Sequence, residues 1–258
     1  MRLATWNING MRARLPYLLR YLEAVRPDVI GLQELKMVDD AFPHVELRAA
    51  GYRALTHGQK RWNGVAILTR DADAEPTQRD VPGQEELGAR LLTARVGGVS
   101  FTTVYCPNGK GVDHPDFERK LAFFDALREH WARSHPPDEP AVLCGDFNVV
   151  PAPIDSWNEE ALGGAFLHTE AERARLGALL GLGLRDTYRE LNADDPGHSW
   201  WDYRAGAFHA RRGLRIHLLL ATPPLAGRVT GAVVERAWRK KIDGMTPSDH
   251  APVWIDVD

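Results

Sequence analysis

The sequence predicts a layered α/β (α+β) protein in which sheets pack face to face and helices cover their outer sides. Three observations carry this. Eight short runs rich in Val, Ile, Leu, Thr and aromatic residues are each broken by Gly, Pro, Asn or Asp, as strands are. Three longer stretches space their apolar residues at helical intervals. Leu91–Val96 and Ser100–Tyr105, joined through Gly97-Gly98, form a hairpin that demands antiparallel pairing. Antiparallel sheets with separate helices bury their apolar faces by stacking.

In chain order, strand Arg2–Ile8 comes first, followed by a helix that gathers Leu15, Leu18, Leu19, Leu22 and Val25 on one face and that Pro27 stops. Strands Val29–Gln33 and Val65–Thr69 precede the hairpin. Phe117, Leu121, Phe124, Leu127 and Trp131 trace a second helix, closed by Pro136-Pro137. After strand Ala141–Gly145, a third helix runs from Thr169 to Leu180, with Thr169 as N-cap and Glu172 three residues on, as in a capping box. Strands Arg215–Leu220 and Pro252–Val257 complete the set. Short loops carrying Pro137–Pro140 separate two halves, each opening on a strand that runs into Asn. No sequence repeat is visible, and 258 residues without a long linker read as one domain, 1–258.

Composition narrows the function. Hydrophobic residues are 44% and charged residues 26%, which excludes disorder, collagen-like repeats and coiled coil. No apolar run approaches the roughly 18 residues that cross a bilayer, so no membrane partner is expected, and MRLATWNING turns polar too soon for a signal-peptide core. Cys106 and Cys144 sit in or beside apolar runs and match no disulfide framework or zinc spacing, which fits a reducing cytoplasm. Thirty-two basic against 35 acidic residues give a net charge of −3. A domain that only clamps nucleic acid is usually basic. DNA as partner therefore requires basic residues clustered locally and acidic ones gathered into a metal site.

Polar residues do cluster where strands end: Asn7, Asn9 and Gly10; Gln33-Glu34; Tyr105-Cys106-Pro107-Asn108; Gly145-Asp146-Phe147-Asn148; and Ser248-Asp249-His250 before the last strand. A single Asp, Asn or Glu at a strand end is ordinarily a turn or cap residue. Five such segments, each beside an apolar run, point instead to one site at a common rim. Carboxylates from Glu34, Asp146 and Asp249, with amide oxygens from Asn7, Asn9 and Asn148, suit Mg2+ or Mn2+, which take hard oxygen ligands and are completed by water and substrate phosphate.

TWNING, LQELK, YCPN, GDFN and PSDHAPVW, with WNGVAIL at 62–68 and RGLRI at 212–216, resemble the exonuclease III family of class II AP endonucleases, from Leu3 to Ile255. The resemblance implies a four-layer α/β/β/α sandwich of two mixed, largely antiparallel sheets. It also implies a monomeric enzyme acting in the cytoplasm, on the nucleoid, upon double-stranded DNA at abasic sites or 3′ ends. By motif, Glu34 holds the metal with Asn9 and Asp249 beside it. Asp146 takes the proton from the attacking water or shares a second metal, and Asn148 orients that water or ligates beside Asp146. Tyr105, Asn7 and Asn108 bind the phosphate or its neighbours, and His250 donates to a phosphoryl oxygen or joins the metal shell. Trp200, Leu214 and Ile216 line a pocket for the flipped-out abasic sugar, whose missing base lowers the cost of unstacking. One of Trp200 and Trp201 is expected at the site and the other in the core. Basic residues at Arg12/Arg14, Lys60-Arg61, Arg204, Arg211-Arg212-Arg215 and Arg239-Lys240-Lys241 supply phosphate contacts.

One residue departs from the family pattern. His217 stands where that pattern has an Asp paired with the His of the SDH motif, here His250. An imidazole supplies no negative charge to orient and stabilise a protonated His250, so weak AP endonuclease activity is expected, with His217 as a metal ligand favouring manganese the other reading. A phosphatase or phosphodiesterase acting on another ester, and a DNA-lesion binder impaired in catalysis, are the alternative functions.

Overall fold

The computed structural model describes residues 1–258. In chain order the strands and helices are β1 (Arg2–Asn7), α1 (Met11–Val25), β2 (Val29–Gln33), α2 (His44–Ala49), β3 (Tyr52–His57) and β4 (Val65–Arg70). Next come β5 (Glu75–Arg79), β6 (Leu91–Val96), β7 (Val99–Tyr105), α3 (Pro115–Ser134), β8 (Ala141–Asp146), α4 (Glu159–Leu162), α5 (Glu170–Leu180), β9 (Arg185–Asp186) and α6 (Thr187–Leu191). The chain ends with β10 (His217–Ala221), α7 (Pro223–Ala226), β11 (Val229–Val234) and β12 (Val253–Val257).

These strands form two six-stranded sheets, ordered β11-β12-β1-β2-β4-β3 and β5-β6-β7-β8-β10-β9. Each has one parallel pair at its centre, β1 with β2 and β7 with β8, and every other pair is antiparallel. Because a parallel pair needs a crossover, each central pair is bridged by a helix, α1 in one sheet and α3 in the other. The two sheets thus share one topology, the duplication that no sequence repeat reveals. The division expected at Pro137–Pro140 is corrected. That segment links α3 to β8 inside the second sheet, whereas the first sheet gives way to the second between β4 and β5 and is closed by β11 and β12.

Three apolar layers hold the stack together. Leu3, Val29, Ile67, Phe101, Val142, Leu219 and Ile255 fill the space between the sheets. Trp6, Tyr17, Leu18, Tyr21, Leu22, Ile30 and Leu68 join the first sheet to α1, while Phe124, Leu127, Trp131, Leu143, Leu176 and Leu218 join the second sheet to α3 and α5. A fully buried side chain of this size contributes ~1.5–3 kcal/mol, so the four-layer order follows from the sequence pattern. At Gly31 the sheets approach so closely that a Cβ would lie 2.6 Å from Thr103 Oγ1.

The predicted capping box forms at α5. Thr169 Oγ1 accepts from the Glu172 backbone N–H at 3.1 Å, and Glu172 Oε2 accepts from the Thr169 N–H at 3.0 Å. Thr169→Ala is expected to cost about 1 kcal/mol in chemical denaturation.

Two basic residues expected on the DNA face lie inside instead. Arg215 is 1% exposed, with Nε 2.5 Å from Asp155 Oδ1 and Nη2 2.8 Å from Asp186 Oδ2. Arg239 is buried, its guanidinium 4.7 Å from the Tyr203 ring centre and 5.3 Å from that of Phe208. A buried guanidinium needs such partners, so these two residues tie loops together. Arg12, Lys60, Arg61, Arg204, Arg211, Lys240 and Lys241 are exposed.

Candidate active site

The central parallel pair of each sheet ends on the same rim, and all five polar segments follow or precede strands there. Cross-strand register sets Tyr105 and His217 on either side of Asp146, on β7, β10 and β8. Asn7 and Gln33 pair at the ends of β1 and β2, so Glu34 follows directly. Glu34, Asp146, Asn148, Tyr105, Asn108, Asp249 and His250 line one cleft of about 470 Å³. Gly145 brings Asp146 there, at a φ of 146° and with its Cα so near β7 that a Cβ would meet Val104 O at 1.9 Å.

Backbone geometry turns the side chains into this cleft. Asn9, Glu34 and Asn148 all adopt left-handed backbone angles, with φ of 48°, 55° and 50°. Asn tolerates that region, but Glu does so at a cost, and such strain persists where the surrounding structure holds it.

The oxygen donors form two linked groups. Asn7 Nδ2 donates to Glu34 Oε1 and Asp146 Oδ2, both at 2.9 Å, and Asn9 Nδ2 donates to Asp249 Oδ1 at 2.8 Å. Lys36 Nζ sits 2.8 Å from Glu34 Oε2 and donates to Asn9 Oδ1 at 2.6 Å. A cation is thus already shared between two of the residues assigned to the metal, and with Asp249 beside them this donor set fits a hard divalent ion.

Asn148 is held differently. Its Nδ2 donates to Cys106 O at 3.0 Å, and its Oδ1 accepts from Asn108 at 3.1 Å. Its backbone N–H donates to Asp146 Oδ1 at 3.0 Å. Buried Lys120 in turn donates to the Asn148 carbonyl at 2.6 Å and pairs with Glu172 of α5, so the outer helices fix this loop.

Burial sets the protonation of the carboxylates apart. Asp146 is pushed up to about 6 by burial, a rise that His250 and Asn7 oppose and Glu34 adds to. Burial also acts to raise Glu34 and Asp249. For Glu34 it is outweighed by His250, Lys36 and Asn7; for Asp249, by His250, Asn9 and Trp200. Both end below the ordinary carboxylate range. One carboxylate poised near neutrality beside two firmly ionised ones is the pattern of a proton acceptor next to a cation site. Burial, with Glu34 and Asp146 nearby, keeps the Tyr105 hydroxyl protonated.

His217 occupies the position facing His250. Ser199 Oγ accepts from the backbone N–H groups of Ile216 and His217, each at 3.2 Å, and lies 2.7 Å from His217 Nδ1. With its acceptor sites used, the hydroxyl donates to Nδ1. The neutral ring then carries its proton on Nε2 and donates to His250 Nδ1 at 3.1 Å. Burial, then His250, holds His217 well below the usual histidine range. His250 therefore keeps its own hydrogen on Nε2, the nitrogen turned toward Asp249. Ser199 gives no signal in the sequence, since it precedes no periodic element and reaches His217 across an irregular loop.

On the opposite wall, Trp200 and Trp201 divide as expected. Trp201 is buried, whereas half-buried Trp200 lines the cleft and donates from Nε1 to Asp249 Oδ2 at 3.1 Å. Ile216 lines the cleft as well. Two of the expected residues lie behind the cleft surface. Leu214 is buried behind Ile216 against Val150 and Leu167 and does not line the cleft. Asn7 is fully buried with its amide nitrogen engaged by two carboxylates, where it positions them. The sequence reading missed Lys36, Trp62, Phe166, Leu167 and Asp202, all of which line the cleft. Trp62 lay within a quoted motif, and its 68% exposure at the mouth was the available signal only once folded.

The sequence profile of the Endonuclease/Exonuclease/phosphatase family matches residues 4–250. The chain belongs to this family. Within it, exodeoxyribonuclease III of Haemophilus influenzae is 34% identical over 273 aligned positions, covering 99% of each chain. A structure of the 3′ phosphatase NExo from Neisseria, an Asp-to-Asn variant bound to product DNA hairpin, superposes with a TM-score of 0.94 at 34% identity over 100% of this chain and 99% of the other. An AP endonuclease from Archaeoglobus fulgidus gives 0.93 at 30% identity, again over 100% and 99%. The protein is thus an exodeoxyribonuclease III-like hydrolase of the Endonuclease/Exonuclease/phosphatase family, and the two-sheet sandwich is the family's fold. No helix is long and apolar enough to cross a membrane.

Proposed function

We propose that this single-domain protein is a DNA-repair phosphodiesterase that uses Mg2+ or Mn2+ to cleave double-stranded DNA 5′ to abasic sites, with 3′–5′ exonuclease and 3′-phosphatase action at 3′ ends. It works as a monomer on the cytoplasmic nucleoid. The observation that carries this is the meeting of oxygen donors from five distant segments in one cleft, opposite an apolar wall of Trp200, Phe166, Leu167 and Ile216.

Glu34, Asn9 and Asp249 would hold the ion, which when bound neutralises charge on the phosphoryl oxygens. Asp146 takes the proton from the water attacking in line with the leaving 3′ oxygen, and Asn148 orients that water. His250 donates from Nε2 to a phosphoryl oxygen, and Tyr105 and Asn108 hydrogen-bond the phosphate from the cleft floor. Trp200 and Ile216 form the face against which the sugar rests. Exposed Arg61, Arg204, Lys240 and Lys241 give salt-sensitive contacts to flanking phosphates, and the net charge of −3 keeps binding to undamaged duplex modest.

The test is nicking of a duplex with one abasic site, run beside a 3′-phosphate-ended duplex and a small aryl phosphate with either metal. Cleavage of the DNA substrates supports the proposal. Hydrolysis of the small ester alone would show a phosphatase of other specificity, and binding to the abasic duplex without hydrolysis a lesion binder.

The acid limb of the pH–rate profile reports Asp146, whose ionised form is the reactive one. Asn7→Ala removes a hydrogen bond that lowers the Asp146 pKa. The limb is expected to move about one pH unit upward, and a carboxyl 13C titration of the ion-free protein checks the same shift directly.

A further inference from the structure

Asp146, His217 and His250 are all buried, and the atoms they turn toward one another leave a gap of definite size. His217 Nε2 is 3.1 Å from His250 Nδ1, and these nitrogens are 3.8 and 3.9 Å from Asp146 Oδ2, beyond hydrogen-bond reach. The point equidistant from three atoms so separated lies about 2.1 Å from each, the bond length of zinc to imidazole nitrogen or carboxylate oxygen. We infer that Asp146, His217 and His250 form a binding site for a zinc-class divalent cation, distinct in its donors from the oxygen-rich group around Glu34.

The donor set decides the class of ion. Two imidazoles and one carboxylate suit zinc or cobalt, whereas magnesium prefers an all-oxygen shell. Three protein ligands leave a fourth position for water, and Asp146 and His250 line the cleft through which an ion enters. Binding asks His217 to carry its proton on Nδ1 instead of Nε2, reversing the 2.7 Å hydrogen bond so that Ser199 Oγ accepts it. Ser199 Oγ must then release one of the two 3.2 Å backbone N–H bonds it now accepts, a cost that the zinc–imidazole bond outweighs, and the ligating histidine gains the outer partner it ordinarily has. On the proposed reaction, such an ion would hold the carboxylate that accepts the proton, and so act as a reversible inhibitor.

Zinc titration calorimetry and cobalt absorption spectra of metal-stripped protein, taken without DNA, test the site independently of any catalytic activity. One equivalent of zinc should bind tightly, ahead of any weaker uptake at Glu34, and cobalt should show the visible bands of a four-coordinate ion. His217→Asn, which keeps a polar group beside Ser199, should weaken binding by about a hundredfold or more, and His250→Asn should do likewise. Glu34→Gln should leave zinc affinity unchanged. Equal affinity in wild type and both histidine variants, absence of the cobalt bands, or loss of zinc in Glu34→Gln would overturn the assignment.

Discussion

Asp146→Asn is expected to lower the rate of DNA cleavage by about 10²–10⁴, the usual worth of a positioned general base. The substitution keeps the shape of a fully buried side chain and removes its charge and proton affinity, and it also gives up one of two acceptor oxygens, since Oδ1 now accepts from the Asn148 N–H and Oδ2 from Asn7. Its effect on stability should run the other way. Because burial raises the folded-state value to about 6, the contribution of the protonated form is complete below the unfolded value near 4 and is lost as pH rises through about 6. At neutral pH the ionised carboxylate then costs up to about 3 kcal/mol, which the neutral amide avoids. The lost acceptor offsets part of that gain, so thermal melts at pH 7 should show Asp146→Asn close to wild type in stability while activity collapses. Wild-type cleavage rates in the folded variant would remove Asp146 from the mechanism.

His217→Asp is expected to raise the cleavage rate. Losing the equivalent carboxylate in a serine-protease triad costs about 10⁴, which sets the ceiling. The gain here should be nearer tenfold, because the Ser199–His217 chain already orients His250 and presents its Nε2 to the cleft. A carboxylate at 217 would add a negative charge behind that donor, and charge-assisted bonds are roughly twice as strong as neutral ones. It must also reach His250 from a shorter side chain and lie near Asp146, which His217 Nε2 now approaches to 3.8 Å. Single-turnover rates on abasic duplex measure the change, and an unchanged or lower rate would show that the pairing argument fails.

What the sequence disclosed of the fold follows a physical line. The eight strands it revealed are the interior strands of the two sheets: β1, β2, β4 and β12 in one, β6, β7, β8 and β10 in the other. The four it concealed, β3, β5, β9 and β11, are the edges. An interior strand is buried on both faces and so reads as an apolar run, whereas an edge strand such as Glu75–Arg79 is largely exposed and carries the polar residues that discourage further pairing. The helical stripes were legible for the same reason of burial. In α1, however, Tyr17 and Tyr21 are buried more fully than Leu15 and Leu19.

For the site, residues that end apolar strands could be read because five such segments recur: one carboxylate or amide after a buried run is an ordinary turn residue, but five of them beside strands of two stacked sheets can meet at one rim. Site residues carried on irregular loops, such as Phe166 and Leu167 in the cleft wall and Ser199 buried behind His217, follow no periodicity and could not. Nor does charge in a sequence report burial. Arg215 looked like a DNA contact until Asp155 and Asp186, 60 and 29 residues distant, were seen to enclose it.

The central claim is that Glu34, with Asn9 and Asp249, holds the divalent ion on which cleavage depends. Its most direct test is the rate of nicking at an abasic site against added magnesium or manganese, for metal-stripped wild type and for Glu34→Gln. Wild type should be inactive in chelator and rise to saturation with either ion, while Glu34→Gln should need at least about ten times more metal. Cleavage that persists in chelator, or one metal dependence shared by both proteins, would contradict the claim.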